Sequence, residues 1–192
     1  MLEAVRIAVP LDTGDAPPAP VLSVVEPPAE APQEVVRVTL RAASSLPPRL
    51  AADWAALSNE ASEPNCYAEP WFVAASLKAF GGERVRIAEV RRGAELIGLA
   101  PLGVEQHYGR TRVRFVQNWR HHHHFLGTPL IRRGEERAFW SALLKALDAA
   151  GWAPNFLHIR GLVEDGPVHP GLAAAAAGVG RSCALVHPGS RG

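Results

Sequence analysis

The spacing of apolar residues changes several times along this chain of 192 residues, and the order of the changes limits the fold. Helical spacing predicts helices at about residues 50–61, 71–80, 135–150 and 168–177. Alternating or short apolar runs predict strands at 36–42, 85–89, 95–104, 110–117, 156–160 and 183–186. Because strands and helices do not alternate regularly, we expect an α+β fold with a mixed or antiparallel central sheet. This order argues against a doubly wound dinucleotide-binding fold.

Three of the predicted helices carry an apolar face that we expect to lie in the core. The expected core positions are Leu50, Trp54, Leu57 and Ala61 in the first helix, Phe72, Ser76, Ala79 and Phe80 in the second, and Phe139, Trp140, Leu143, Leu144 and Leu147 in the helix at 135–150.

Residues 1–35 differ in composition from the rest of the chain. They contain seven of the 17 prolines and six acidic residues against one arginine. Such a segment buries too little apolar surface to offset the entropy of ordering it. We therefore expect residues 1–35 to be a disordered leader and residues 36–192 to form the folded domain.

Charge and cysteine content exclude several classes of protein. The net charge is +1, which gives no global attraction to nucleic acid or membrane, and we expect neither as a partner. The apolar run at 172–180 is far shorter than the ~20 residues of a membrane span. Cys66 and Cys183 cannot form a disulfide framework, which favours a cytoplasmic location and thiols without a catalytic role.

Basic residues are concentrated in the middle of the chain. Residues 84–133 hold ten arginines against three glutamates, a local charge of +7 that favours an anionic ligand. We expect Arg84, Arg86, Arg110, Arg112 and Arg114 to share one sheet face. They would contact an anionic substrate, a phosphate group or a second protein half, or form a solvated face.

Four consecutive histidines, His121 to His124, follow Asn118-Trp119-Arg120 in a predicted loop. Histidine titrates near neutral pH, so His121 and His123 are candidate general bases. Asn118, Trp119, His122 and His124 are candidate substrate contacts. In an extended chain only His121 and His123, or His122 and His124, would share a face, so we expect no metal site. The alternative is a polar loop that precedes a buried Phe125.

Four short stretches of sequence, together with the order of elements, resemble a known family. They are Trp54-Ala-Ala-Leu57, Pro64-Asn65-Cys66-Tyr67-Ala68-Glu69-Pro70-Trp71-Phe72, Glu95-Leu-Ile-Gly-Leu-Ala-Pro101-Leu102 and Gly127-Thr128-Pro129-Leu130. This wording resembles the CelD-type, GNAT-like acetyltransferases linked to cellulose and exopolysaccharide biosynthesis, over about residues 45–186.

The resemblance implies a GNAT-like fold and transfer of an acyl group from acetyl-CoA or another acyl-CoA. The acceptor would be an amine or hydroxyl of a sugar or polysaccharide precursor. Members of this family typically contain two GNAT-like halves, and the chain matches the first half, so we expect a truncated tandem arrangement. The partner is then a second half or a second copy of the chain. The alternative function is a non-catalytic half that shapes the substrate site.

The resemblance also implies roles for individual residues. The stretch before the second helix borders the acceptor site, which makes Glu69 a candidate base and Tyr67 and Trp71 candidate substrate contacts. The alternative is that Glu69 begins a helix and that Trp71 is a core residue. The nearest match to a pyrophosphate-binding loop is the segment 106–111, which gives Arg110 and Arg112 a weak expectation of cofactor contact. The strand that follows favours a hairpin turn at Gly109 instead.

Overall fold

The structure is a computed structural model that describes residues 34–186. All but two residues of the expected leader, and the last six residues of the chain, lie outside the described part. The described elements, in chain order, are β1 (Val36–Ala42), α1 (Pro48–Glu60), α2 (Pro70–Phe80), β2 (Arg86–Arg92), β3 (Glu95–Glu105), β4 (Phe115–Asn118), β5 (Leu130–Ile131), α3 (Glu136–Ala149), β6 (Leu157–His158) and α4 (Val168–Gly178).

The strands form one mixed sheet, which confirms the expected α+β class. Its order is β1-β2-β3-β4-β6, and β5 also pairs with β3. All neighbouring strands are antiparallel except β4 and β6, which are parallel. A parallel pair needs a crossover connection, and α3 lies in the connection between these two strands.

Helices cover both faces of the sheet. Because successive strand residues point to opposite faces, Ile87 lies in a core with α1 while Ala88 and Val90 lie in a core with α3 and α4. The expected apolar faces of α1 and α3 are fully buried, and both predictions are confirmed. The Trp54 indole N–H donates to Ala68 O at 2.9 Å and thereby holds the segment before α2 against α1.

The expected core face of α2 is partly wrong. Ser76 is buried as expected, but Val73 is the apolar residue in the core, and Phe80 is 44 % exposed. Phe72 and Phe80 instead place their rings against the His121 ring, with centroids 5.8 and 4.1 Å away. The helix is rotated from the expected phase because its aromatic side chains cover the histidine loop.

The strand expected at 110–117 is shorter than predicted. Glu105, the last residue of β3, pairs with Phe115, so residues 110–114 have no strand beside them and only Phe115–Asn118 joins the sheet. The shared arginine face is therefore also wrong. Arg110, Arg112 and Arg114 lie on an exposed hairpin, whereas Arg86 packs its guanidinium over the Trp152 ring at 4.8 Å.

Two expectations near the end of the described chain also differ from the structure. Only Leu157–His158 of the strand expected at 156–160 pairs with β4. Residues 183–186 form no strand and are exposed, because no described strand lies beside them. Within residues 34–186, no helix is long and apolar enough to cross a membrane.

Candidate functional site

Strands β4 and β5 pair with the same edge of β3, but at different positions along it. Leu102 of β3 pairs with Asn118 of β4, and Leu99 of β3 pairs with Leu130 of β5. The chain between β4 and β5 leaves the sheet beside Ala100 and Pro101. We call the resulting space the fork pocket.

The fork pocket is narrow, with a cavity volume of about 20 Å³. Its lining residues are Asn65, Tyr67, Ala68, Ala100, Pro101, Asn118, Trp119, Arg120, His124, Leu126, Gly127, Thr128, Pro129, Trp140 and Ile159. Four of the candidate residues from the sequence are among them: Tyr67, Asn118, Trp119 and His124.

Asn118 closes the inner end of the fork pocket. Its Nδ2 donates to Gly127 O at 2.8 Å and to Arg160 O at 2.9 Å, and its Oδ1 accepts from Arg160 N at 2.9 Å. Gly127 needs to be glycine, since a Cβ there would overlap Arg160 O. Asn118 therefore uses both amide protons within the protein. Its side chain acts as a clamp between the backbone at Gly127 and the backbone at Arg160.

Asn65 ties together the two opposite walls of the fork pocket. Its Nδ2 donates to Thr128 O at 2.7 Å, and its Oδ1 accepts from Tyr67 N at 3.0 Å. No separate role for Asn65 was predicted from the sequence. An asparagine that accepts from the backbone two residues later is a common turn motif, and this property could have marked it.

Three polar groups in the lining have no hydrogen-bond partner among the described residues. Thr128 is 1 % exposed, and its Oγ1 makes no hydrogen bond. The Tyr67 hydroxyl and the Trp119 indole N–H also make no hydrogen bond to a described residue, but these two side chains are only half-buried. Buried polar groups are normally paired, so the Thr128 hydroxyl is the group of this wall that most needs a partner.

The four histidines form a tight turn, which we call the histidine turn. His124 N–H donates to His121 O at 3.0 Å, a bond that closes the turn. The turn brings the rings of His121 and His124 to 4.1 Å, and those of His122 and His123 to 3.9 Å. The expected alternation of neighbouring histidines is therefore wrong, because it assumed an extended chain.

His121 is held within the protein and does not line the fork pocket. Its Nε2 lies 2.9 Å from Ser76 Oγ, and its Nδ1 accepts from His123 N–H at 3.3 Å. Accepting at Nδ1 places the proton of the neutral ring on Nε2, which then donates to Ser76. Burial lowers the pKa of His121, and the nearby rings of His123 and His122 lower it further. Neither ring nitrogen is left to accept a substrate proton.

His124 is buried beside the fork pocket in its neutral form. Burial lowers the pKa of His124 to about 4, with smaller contributions from the charges of His121 and Arg120. Its Nδ1 accepts from His121 N–H at 3.1 Å, so its proton lies on Nε2. The ring therefore offers a substrate no acceptor atom.

The remaining candidate residues lie outside the lining of the fork pocket. Glu69 Oε2 accepts from the Trp71 indole N–H at 2.6 Å at the start of α2. Trp71 is 62 % exposed, so the alternative that placed it in the core is wrong. His122 and His123 are exposed on the histidine turn.

The expected hairpin turn at Gly109 is confirmed. Gly109 has a φ of +61°, and Tyr108 and Thr111 exchange backbone hydrogen bonds of 3.0 and 3.1 Å across it. Arg110 and Arg112 are exposed beside this turn and do not line the fork pocket.

The N terminus of α3 carries acidic residues rather than an anion site. Glu136 Oε1 accepts from Gly134 N–H at 3.1 Å, and the Glu135 carboxylate binds the Arg92 guanidinium at 2.6 Å. A phosphate prefers a helix N terminus whose N–H groups are free of negative side chains. The residues of this helix start do not fit the pyrophosphate of CoA.

Among residues 34–186, no three His, Cys, Asp or Glu side chains converge in an arrangement that could hold a metal ion. Comparison of the chain with protein-family models, curated proteins and solved structures finds no match.

Proposed function

We propose that residues 34–186 form a GNAT-like domain of a CelD-type acyltransferase and that this domain binds the acceptor. The acceptor is an amine or hydroxyl of a polysaccharide-related molecule, and the reaction takes place in the cytoplasm. Support comes from the order of elements and from the parallel pairing of β4 and β6 around the connection that contains α3. The sequence resemblance adds the family and the class of acceptor. The two free cysteines are compatible with a reducing compartment.

One observation carries this proposal: the fork pocket has unpaired polar groups on a rigid wall. Thr128 Oγ1 is buried without a partner among the described residues, and the half-buried Tyr67 and Trp119 side chains line the same wall. Asn65 fixes the positions of Thr128 and Tyr67 through two hydrogen bonds. Apolar walls that carry a few fixed polar groups are a feature of small-molecule sites.

Acyl-CoA is the cofactor of the proposed reaction, but the described residues do not fit it. The gap between β4 and β6, where the two strands separate, is filled by the Asn118 carboxamide. The start of α3 carries Glu135 and Glu136. We therefore propose that acyl-CoA binds to a partner, either a second GNAT-like half or a second copy of this chain.

A second candidate function is acyl transfer by this chain alone. It is favoured by the Glu69 carboxylate, which lies two residues from Tyr67 at the start of α2, and by the exposed ring of His123. Either group is accessible enough to accept a proton from an acceptor amine. Under this alternative, the chain by itself would transfer acetyl from acetyl-CoA to glucosamine.

The experiment that tests the proposed function is a titration of the full chain with glucosamine and with cellobiose. Binding is followed by tryptophan fluorescence, because Trp119 and Trp140 both line the fork pocket. We expect saturable binding that is weakened when Trp119 is replaced by Ala, but not when the exposed Trp71 is replaced by Ala. Equal loss in the two variants, or no saturable binding by the folded chain, would contradict the proposal.

A further inference from the structure

The size of the fork pocket limits what can enter it. Its cavity volume of about 20 Å³ is enough for one water molecule, which needs roughly 10–15 Å³. It is far below the roughly 300–1,000 Å³ of a site that encloses a whole small molecule. A group with a single non-hydrogen atom therefore fits inside, and the rest of any larger ligand stays outside.

Thr128 supplies an unused hydrogen-bonding group in the lining of this space. Its side chain is 1 % exposed, and its Oγ1 has no partner among residues 34–186. Its backbone position is fixed, because Asn65 Nδ2 donates to Thr128 O at 2.7 Å. A threonine hydroxyl can both donate and accept, and leaving it buried without a partner costs free energy. A small polar group that enters the pocket is therefore stabilised beside Thr128.

The rest of the lining disfavours a positively charged group. Ala68 O, Pro101 O and Thr128 O already accept a hydrogen bond from within the protein, at 2.9, 2.8 and 2.7 Å. No Asp or Glu is among the described lining residues. An aliphatic amine is largely protonated at neutral pH, and its three N–H groups would find neither a counter-charge nor enough free acceptors. A carboxylate has three non-hydrogen atoms and exceeds the space. A neutral hydroxyl meets both limits of size and charge.

A hydroxyl in the fork pocket would keep its proton. His124 is the only histidine of the described lining, and its Nδ1 already accepts from His121 N–H at 3.1 Å. The lining residues therefore supply no carboxylate and no accepting imidazole nitrogen that could act as a general base. A hydroxyl bound here is held in place and is not the group that attacks an acyl donor.

We propose that the fork pocket takes one hydroxyl group of the acceptor as an anchor, distinct from the group that receives the acyl chain. The proposal rests on the proposed function, since it names how the ligand of that same site is recognised. The ring of the acceptor stays at the opening, where the half-buried Tyr67 and Trp119 offer aromatic surface. The ligand class is a neutral polyhydroxylated molecule.

The first test compares cellobiose with fully O-methylated cellobiose, using the tryptophan fluorescence of the full chain. A methoxy group adds a second non-hydrogen atom and cannot donate, so we expect the methylated probe to bind at least about tenfold more weakly. Equal affinities would overturn the hydroxyl anchor and leave the proposed function standing, because cellobiose would still bind. Binding of neither probe by the folded chain would overturn both proposals.

The second test compares glucose with glucosamine at pH 6, where the amine is charged. The two molecules differ only in the replacement of one hydroxyl by an ammonium group. We expect glucosamine to bind no more tightly than glucose, because a hydroxyl remains available to both. Tighter binding of glucosamine would assign the site to an amino group and overturn the hydroxyl anchor.

Two variants of Thr128 separate its hydroxyl from its shape. Thr128→Val keeps the shape and should weaken cellobiose binding about threefold to tenfold, whereas Thr128→Ser keeps the hydroxyl and should retain binding. Thr39→Val, at an exposed position of β1, is the matched control and should change nothing. Unchanged cellobiose affinity in folded Thr128→Val would overturn the anchor. If that variant does not fold, the two probe comparisons on the wild type still decide.

Discussion

Asn118 binds both backbone groups of Arg160, accepting from its N–H and donating to its carbonyl oxygen, each at 2.9 Å. A side-chain amide thus continues the parallel pairing of β4 and β6 where the backbones of the two strands have separated. The same amide donates to Gly127 O and so also fixes the chain between β4 and β5. One side chain therefore sets both the inner end of the fork pocket and the strand spacing beside it.

Replacing Asn118 by Ala removes all three of these hydrogen bonds. We predict a loss of about 2–4 kcal/mol in the free energy of unfolding, because buried backbone groups are left unpaired. Urea denaturation measures it. Gln117→Ala is the matched control, since the Gln117 amide contacts only the exposed Glu105 carboxylate, and it should cost less than about 0.5 kcal/mol. Equal losses in the two variants would show that Asn118 does not act as a backbone clamp.

Gly98 lies against the Phe139 ring, and a Cβ at this position would overlap ring atoms. We predict that Gly98→Ala destabilises the domain by about 1–3 kcal/mol through overpacking. The control is Gly103→Ala on the same strand, where the nearest atom would be 3.9 Å away. Adding Phe139→Leu to Gly98→Ala should recover part of the loss, as thermal unfolding would show. If the double variant is instead as unstable as the two losses added together, steric overlap is not the cause.

Neutral His124 makes folding dependent on pH. Its pKa is about 4 in the folded protein against 6.5 for an unperturbed histidine, so the unfolded chain binds its proton first as pH falls. The stabilisation is complete above pH 6.5 and is lost between pH 6.5 and 4, by about 2–3 kcal/mol. The lowered pKa of His121 acts in the same direction.

Urea unfolding at several pH values checks this prediction. His124→Gln should flatten the dependence of unfolding free energy on pH between 6.5 and 4, and His107→Gln, at an exposed position, should leave it unchanged. A dependence of unfolding free energy on pH that is the same for His124→Gln and the wild type would contradict the assignment of this dependence to buried His124.

The Glu63 side chain is buried at the start of α4. Its Oε1 accepts from Val168 N–H at 3.0 Å, although 105 residues separate the two in sequence. Removing this carboxylate leaves a helix N–H unpaired, so we predict that Glu63→Ala costs about 1–2 kcal/mol. Glu164→Ala, at an exposed position before the same helix, is the control for charge. Hydrogen exchange would locate the loss of stability, and we expect the amides of α4 to lose protection first. A uniform loss of protection across the sheet would contradict this prediction.

Exposed aromatic side chains beside the fork pocket suit contact with a second copy of the chain. Trp71 is 62 % and Phe125 is 58 % exposed; the Phe125 ring lies 5.8 Å from the Tyr67 ring, and the Trp71 ring lies 5.6 Å from the Phe72 ring. We predict that the chain self-associates at tens of micromolar by light scattering, because exposed apolar patches favour association. Trp71→Gln should reduce the association, and Val113→Gln, at another exposed apolar position, should not. A monodisperse monomer at that concentration would contradict the predicted self-association.

The elements set by local periodicity could be predicted from the sequence. The apolar faces of α1 and α3 repeat every three or four residues, and their side chains pack directly onto the sheet. The phase of α2 could not be read in this way. It depends on contacts of Phe72 and Phe80 with His121, more than forty residues later in the chain.

The fork pocket could be predicted only in part. Sequence wording pointed to Tyr67, Asn118, Trp119 and His124, which do line it. It did not reveal that Asn118 and Asn65 bind backbone groups 42 and 63 residues away. The turn that buries His124 could not be predicted either, because a run of four histidines is compatible with both a turn and an extended chain.

The measurement that tests the central claim most directly is isothermal titration of the full chain with acetyl-CoA and with free CoA. We propose that this domain binds an acceptor and that a partner binds the cofactor. We therefore predict no heat of binding up to millimolar concentration for a chain that circular dichroism shows to be folded. Micromolar binding would contradict it, and would assign a cofactor site and catalysis to this chain itself.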